Sequence, residues 1–291
     1  MKVRRGPLWA LFVFLLLLGR AAPPAEAAGL PQEIVGDDGA PMVLVPKGEF
    51  IMGSPAGFYI FGDNETPQRR VHLEAFYIDK YEVTNKLYRK LFTAARKYPG
   101  VFLLPDQPIV GVNWGQARDY CVRVNKRLPT EAEWEKAARG TDGRVYPWGN
   151  QRATCRLAVM GTEIPSCSRG FSTWEVGSRL EGASPYGAMD MAGNVTEWVA
   201  DWYSDRYYRS APSRSPKGPA KGKVRVIRGG AWFNSNVLLR SAFRTGFDPR
   251  RSNHGVGFRC AKTATASFVR RSGRFLAGLP SAPPPGGASL R

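Results

Sequence analysis

Histidine is nearly missing from this chain: among 291 residues there are two, His72 and His254. That excludes a three-histidine metal site and puts zinc-hydrolase and histidine-iron oxygenase readings far behind. Cysteine is scarce as well, with four residues and no Cys-x-x-Cys spacing. An even number in an exported chain reads as structural, and four cysteines allow three pairings. Acid is short: 24 Asp and Glu stand against 42 Lys and Arg, for a net charge of +18. No apolar stretch after residue 27 is long enough to cross a bilayer, and no repeat of solenoid length is visible. What the chain does have is 43% hydrophobic and 12% aromatic residues, including eight Trp. That composition excludes collagen, coiled coil and a wholly disordered chain, and the length can bury a sizeable core without disulfides or metals.

The first 27 residues read as a signal peptide. Lys2, Arg4 and Arg5 form a basic start, Leu8 to Leu18 an apolar centre too short for a membrane span, and Ala25-Glu26-Ala27 a small-x-small cleavage site. The protein is therefore expected to be exported, to a periplasmic or extracellular location, with no transmembrane segment in the mature chain. No Cys follows the apolar centre, so a lipid anchor is not expected there. Loss of the leader lowers the net charge from +18 to +15, so the basicity belongs to the exported protein.

Residues 28–39 read as a linker and 40–262 as one unit of short elements. Residues 263–291, with Arg270, Arg271, Arg274 and Arg291 and a Pro-Pro-Pro-Gly-Gly run, read as a basic disordered tail. Arg206 to Arg225 is basic and rich in Pro, Ser and Gly, which reads as a mobile surface loop. Neither basic stretch carries a base-reading motif, so nucleic acid is not an expected partner. Within the unit, Met42–Gly53 and Val71–Ile78 alternate or run apolar like strands. Helices are predicted from Asn85 to Lys97, from Asn113 to about Val124, and from Thr130 to Arg139, the last opened by the capping box Thr130-Glu-Ala-Glu133. After Gly140, Trp, Gly, Pro and Asn are dense and periodicity is lost, so loops and short strands are expected.

Specific motifs then follow in order: Glu82-Val-Thr-Asn85, Pro108-Ile-Val-Gly-Val-Asn-Trp114, Lys126-Arg-Leu-Pro-Thr-Glu-Ala-Glu-Trp134, Tyr146-Pro-Trp-Gly-Asn150, Asp190-Met-Ala-Gly-Asn-Val-Thr-Glu-Trp198, Arg228-Gly-Gly-Ala-Trp232 and Gly257-Phe-Arg-Cys260. Over residues 40 to 262 they closely resemble the formylglycine-generating enzyme, or sulfatase-modifying factor, family. The resemblance implies a single, loop-rich α+β domain of C-type-lectin-like fold, and as activity the oxidation of a sulfatase cysteine to formylglycine with oxygen and copper. Fold does not transmit chemistry, because function lives in the site. Oxidising members carry two cysteines shortly after Arg-Gly-Gly, soft thiolates suited to Cu(I). Here the segment Arg228 to Arg244 contains no Cys. Asn234 stands where the first copper cysteine would be, Ala231 replaces a serine, and Thr196 replaces a Trp. Copper is therefore not expected, and no catalytic residue is assigned.

The resemblance also implies pairing of Cys121 with Cys260, which leaves Cys155 with Cys167. It implies a structural calcium held by the Asp190 and Glu197 side chains and by the carbonyls of Gly193 and Val195, a donor set suited to a hard cation. A second calcium site looks degraded, since Arg156 and Arg169 fall where oxygen ligands would be. Trp232, Asn234, Arg240 and Arg244, with Arg259, are candidates for the groove that receives a peptide in catalytic relatives, and guanidinium forks suit acidic segments. Bracing of buried acids and carbonyls is the competing reading for each Arg. His72 and His254 read as structural. The functional expectation is an exported non-oxidase binding or accessory domain, a pseudoenzyme whose partner is an exported protein or peptide segment. Two alternatives stand beside it: an oxidative enzyme of altered active site, and a true formylglycine generator.

Overall fold

A computed structural model describes residues 29–57, 63–93, 99–161, 167 and 171–265. The leader at 1–27, Arg169 and the tail from residue 266 lie outside the described residues. Among the described residues, three sheets and three α-helices make up the fold. The first sheet is antiparallel: β1 (Glu33–Val35), β2 (Pro41–Val45), β5 (Phe76–Asp79) and β10 (Ala261–Thr263) lie side by side in that order. Residues 33–35, expected within a linker, are thus an edge strand, with Glu33 opposite Val43. The second sheet is the pair β3 (Gly48–Met52) and β4 (Arg69–Leu73). The third runs β8 (Arg244–Phe247), β7 (Arg225–Arg228), β6 (Thr196–Trp202) and β9 (Val256–Phe258), with β6 and β9 parallel.

Both predicted strand runs are real, and each is broken in two. Pro46-Lys47 separates β2 from β3, and Glu74-Ala75 separates β4 from β5, so the halves enter different sheets. β5 is buried along its whole length because β2 and β10 flank it.

α2 (Trp114–Arg123) and α3 (Glu131–Arg139) start where their caps predict. Asn113 with Gln116, and Thr130 with Glu133, form complete capping boxes. Gly140 ends α3 at φ +70°, a left-handed conformation that favours glycine, and a Cβ there would sit 2.9 Å from the Pro185 ring. α1 (Asn85–Arg89) is shorter than predicted, and its N-cap is Thr84, whose hydroxyl accepts from the Leu87 N–H at 3.2 Å. Asn85 is instead fully buried, with its amide nitrogen donating to the carbonyls of Phe102 and Leu104 at 2.9 and 3.0 Å.

α3 reads as a charged surface helix yet is buried nearly all round. Trp134 and three alanines pack against β2, β3 and β4 residues in the largest core. Its charges survive burial because each has a partner. Lys136 Nζ donates to the Pro46 and Gly48 carbonyls at 2.6 and 2.9 Å, and burial pushes its pKa down to about 8. A second core gathers Tyr120, Trp198 and Phe258 around the Cys121–Cys260 disulfide, which ties α2 to the β9–β10 junction. Cys155–Cys167 is the other disulfide, and no described cysteine is free. The stretch expected as a mobile loop is held beside β4, since the His72 N–H donates to Ser213 O at 2.8 Å and Ser215 N–H to His72 O at 2.9 Å. Among the described residues, no helix is long and apolar enough to cross a membrane.

Candidate functional site

The Arg-Gly-Gly segment follows β7 and turns sharply, with Gly229 and Gly230 at φ +93° and +72°. Arg228 is fully buried. Its Nη2 donates to Glu135, and its Nη1 to the carbonyls of Ala242 and Phe243 at 2.8 and 2.6 Å, so it anchors the segment. Beyond it, Asn234 closes a turn on Ala231: its side-chain oxygen accepts from the Ala231 N–H at 2.8 Å, and its own N–H donates to Ala231 O at 2.8 Å. The Gly161 N–H donates to the Asn234 carbonyl at 3.1 Å. The Asn234 carboxamide oxygen is thus spent on backbone.

Trp232 lies between these contacts, 7% exposed, its Nε1 donating to His254 O at 3.3 Å. Phe102, Phe233 and His254 surround its ring, with centroids 5.9, 5.1 and 5.6 Å away. Phe233 remains 44% exposed, giving this face an aromatic surface.

Arg240 and Arg244 do not join it. Both terminal nitrogens of Arg240 donate to Glu65 at 2.7 Å, and Arg244 Nε and Nη2 donate to Glu131 at 2.6 and 2.9 Å. Both arginines are buried, Arg244 completely. They brace the interior, because desolvated guanidinium and carboxylate groups need each other. Burial pushes the Glu131 carboxyl up, but Arg244 and Arg228 outweigh it and hold the group below the usual carboxylate range. Glu65 behaves alike, with burial opposed by Arg240 and Ser54.

The loop from Asp190 to Glu197 curls through positive φ at Asp190 (+56°), Gly193 (+86°) and Asn194 (+62°). Glycine is required at 193, where a Cβ would meet the Val159 carbonyl at 2.3 Å. The Asn194 carbonyl accepts from the Trp232 N–H at 2.8 Å, which fastens the loop to the aromatic face. Asp190 Oδ2 accepts from the Gly177 N–H at 2.6 Å. Glu197, fully buried, receives Arg259 Nε and Nη2 at 2.7 Å and Trp134 Nε1 at 2.9 Å. Glu82 takes the Val195 N–H at 3.1 Å and the Asn194 amide at 2.6 Å. Burial pushes Asp190 up to about 6, and burial with the Asp190 and Glu197 charges pushes Glu82 well above the usual carboxylate range.

Among the described residues no three His, Cys, Asp or Glu side chains converge as a metal centre. A two-carboxylate calcium site asks for less. Asp190, Glu197 and the carbonyls of Gly193 and Val195 fit it in donor type, and the clustering of Glu82 with Asp190 and Glu197 fits it in charge, although Arg259 and Arg179 already act on these acids. Glu197 would share its oxygens between the ion and Arg259. Copper does not fit: two thiolates are needed, all four sulfurs are cystines, and the Asn234 amide is engaged. Glu82 escaped sequence reasoning as a member of this cluster. Its only signal was its place in Glu82-Val-Thr-Asn85. Arg156, from the degraded second calcium site, is exposed and paired with Glu181 at 2.5 Å.

The fold and this site define a mixed sheet-and-helix domain built around Arg-Gly-Gly and a curled acidic loop. The chain belongs to the sulfatase-modifying factor enzyme 1-like domain family, which it matches over residues 28–264. It is 35% identical to the serine/threonine-protein kinase pkn1 of Chlamydia pneumoniae over 80% of its length, yet spans only 39% of that relative. It is 32% identical to the formylglycine-generating enzyme of Streptomyces coelicolor, covering 84% of this chain and 94% of that one. Among solved structures, PvdO from Pseudomonas aeruginosa superposes with a TM-score of 0.70 at 27% identity, covering 81% of this chain and 99% of that one.

Proposed function

We propose that this protein is an exported, non-oxidase binding domain of the sulfatase-modifying-factor family, on a C-type-lectin-like scaffold. One observation carries the reading: where an oxidising member needs a free thiolate, Asn234 folds its amide onto Ala231. The aromatic face of Trp232 and Phe233 remains to receive a segment of an exported protein. The acidic preference expected of that segment loses its basis, because Arg240 and Arg244 are committed to Glu65 and Glu131. Export is supported by the leader pattern and by two disulfides, which persist in oxidising compartments. Calcium is proposed as a structural ion at Asp190, Gly193, Val195 and Glu197, where it would offset the buried acids.

Competition for Cu(I) against a chromogenic chelator tests the reading at the ligand. The folded, oxidised protein is expected to leave the metal with the chelator. Stoichiometric capture of Cu(I), lost on Asn234→Ala, would instead support the oxidative alternative.

A further inference from the structure

Arginines packed into this protein usually meet a carboxylate. Arg127 forks onto Glu133, Arg240 onto Glu65, Arg244 onto Glu131 and Arg259 onto Glu197. Arg225 is different. Its guanidinium carbon lies 3.8 Å from the Trp114 ring centre and 3.5 Å from that of Trp202, so two indoles hold it as a cation between their faces. Nη1 donates to Ala200 O at 2.6 Å, whereas the buried Nε finds no acceptor among the described residues. Burial pushes its pKa down to about 10. The Asp201 charge opposes that fall without bonding the guanidinium: Asp201 accepts the Glu131 N–H at 2.8 Å, and burial raises its carboxyl well above the usual range.

Arg225 borders a groove of about 550 Å³ between α2, the start of α3, the β4–β5 turn and residues 215–217. That is the size of an ordinary small-ligand site. Leu73, Ala75, Val122 and Leu128 line it, and Val122 is 61% exposed on α2, an apolar side chain turned to solvent. The acids at its rim are already taken. Arg127 and the Thr130 N–H hold Glu133, and Glu74 lies 3.6 Å from Arg214 and 3.8 Å from His72. Of the remaining cations, Arg118 pairs with its neighbour Asp119, while Lys217 has no acid partner among the described residues. An apolar groove with two cations that no carboxylate of the described residues hydrogen-bonds selects a ligand that is both greasy and anionic.

We propose that this groove binds a carboxylate carried on an apolar stem, with Arg225 and Lys217 taking the carboxylate and Leu73, Val122 and Leu128 the stem. The site shares no residue with the Trp232 face and does not depend on the function proposed for it. Carboxylate rather than phosphate is inferred because one stacked guanidinium and one amine offer few donors, and Arg118 and Arg127 on the same lining are already paired with Asp119 and Glu133. The carboxylate can be that of a free aliphatic acid or the end of a peptide chain.

Calorimetric titration of the full protein with octanoate, with octanol as the uncharged control, tests the site. A second pair, acetyl-Ala-Ala-Leu with a free or an amidated end, separates the two sources. Octanoate is expected to bind about tenfold or more tightly than octanol, the worth of a charge-assisted hydrogen bond. Arg225→Gln should remove that advantage. Val122→Glu, at an exposed helix position that leaves the fold intact, should abolish octanoate binding by placing a negative charge in the groove. Preference for the free-ended peptide over its amide, with octanoate inert, would assign the site to chain ends. Equal affinity for acid and uncharged partner in both pairs, or octanoate binding that survives both substitutions, overturns the proposal.

Discussion

Arg244 shows how far a residue's meaning depends on its partner. Its bond to Glu131 joins positions 113 residues apart, and that of Arg240 to Glu65 spans 175. No local pattern in the sequence marks such pairs, so the same arginines were legible both as groove and as brace. The consequence is energetic. Arg244→Ala leaves the Glu131 charge buried without its fork, and is expected to cost about 3 to 5 kcal/mol in denaturant unfolding. A loss below about 1 kcal/mol would return Arg244 to the surface. Acid should act in the same direction. Glu131 and Glu65 have folded pKa values below their unfolded ones, so their contribution is complete above the unfolded value, about 4.3, and is lost as pH falls through the folded values. The wild-type melting temperature should therefore drop as pH is lowered past 4, and this drop should shrink in Arg244→Ala.

At the scale of elements, helices with complete capping boxes were read correctly, because Asn113–Gln116 and Thr130–Glu133 state their own starts. Strand runs were read as single elements because hydropathy does not register the two-residue breaks at Pro46 and Glu74. The parallel pairing of β6 with β9 depends on contacts between Thr196 and Val256 and was not legible at all. The curled loop from Asp190 to Glu197 was recognised by resemblance, while Glu82, which fastens its far side, lies more than a hundred residues away. Calcium in this loop should raise the melting temperature, by an amount that approaches about 2.7 kcal/mol of stability at roughly 100 Kd. Asp190→Ala should remove the response. Identical melting in calcium and in chelator, across a wide concentration range, would make the loop a polar turn and nothing more.

For the molecule as a whole, resemblance supplied what periodicity could not. The order of Lys-Arg-Leu-Pro-Thr, Arg-Gly-Gly and Gly-Phe-Arg-Cys implied the disulfide that joins Cys121 to Cys260, and the structure forms it along with Cys155–Cys167. Peptide mapping without reduction should recover both bridges in a secreted mature chain that begins near Ala28. Reduction of the long Cys121–Cys260 bridge should cost about 2 to 5 kcal/mol. Free thiols at these positions, or an intact leader, would contradict export. Family membership fixes neither chemistry nor partner, since relatives of similar identity bear the names of a kinase and of a formylglycine-generating enzyme. The proposed non-oxidase role rests on the donor set beside Trp232, where Asn234 closes a turn and no thiol is free among the described cysteines. Mass spectrometry of a sulfatase-type cysteine peptide, incubated with the protein, Cu(I) and oxygen, tests that role directly. The peptide should keep its thiol mass, apart from disulfide formed equally without the protein; copper-dependent appearance of the aldehyde over many turnovers would contradict the account.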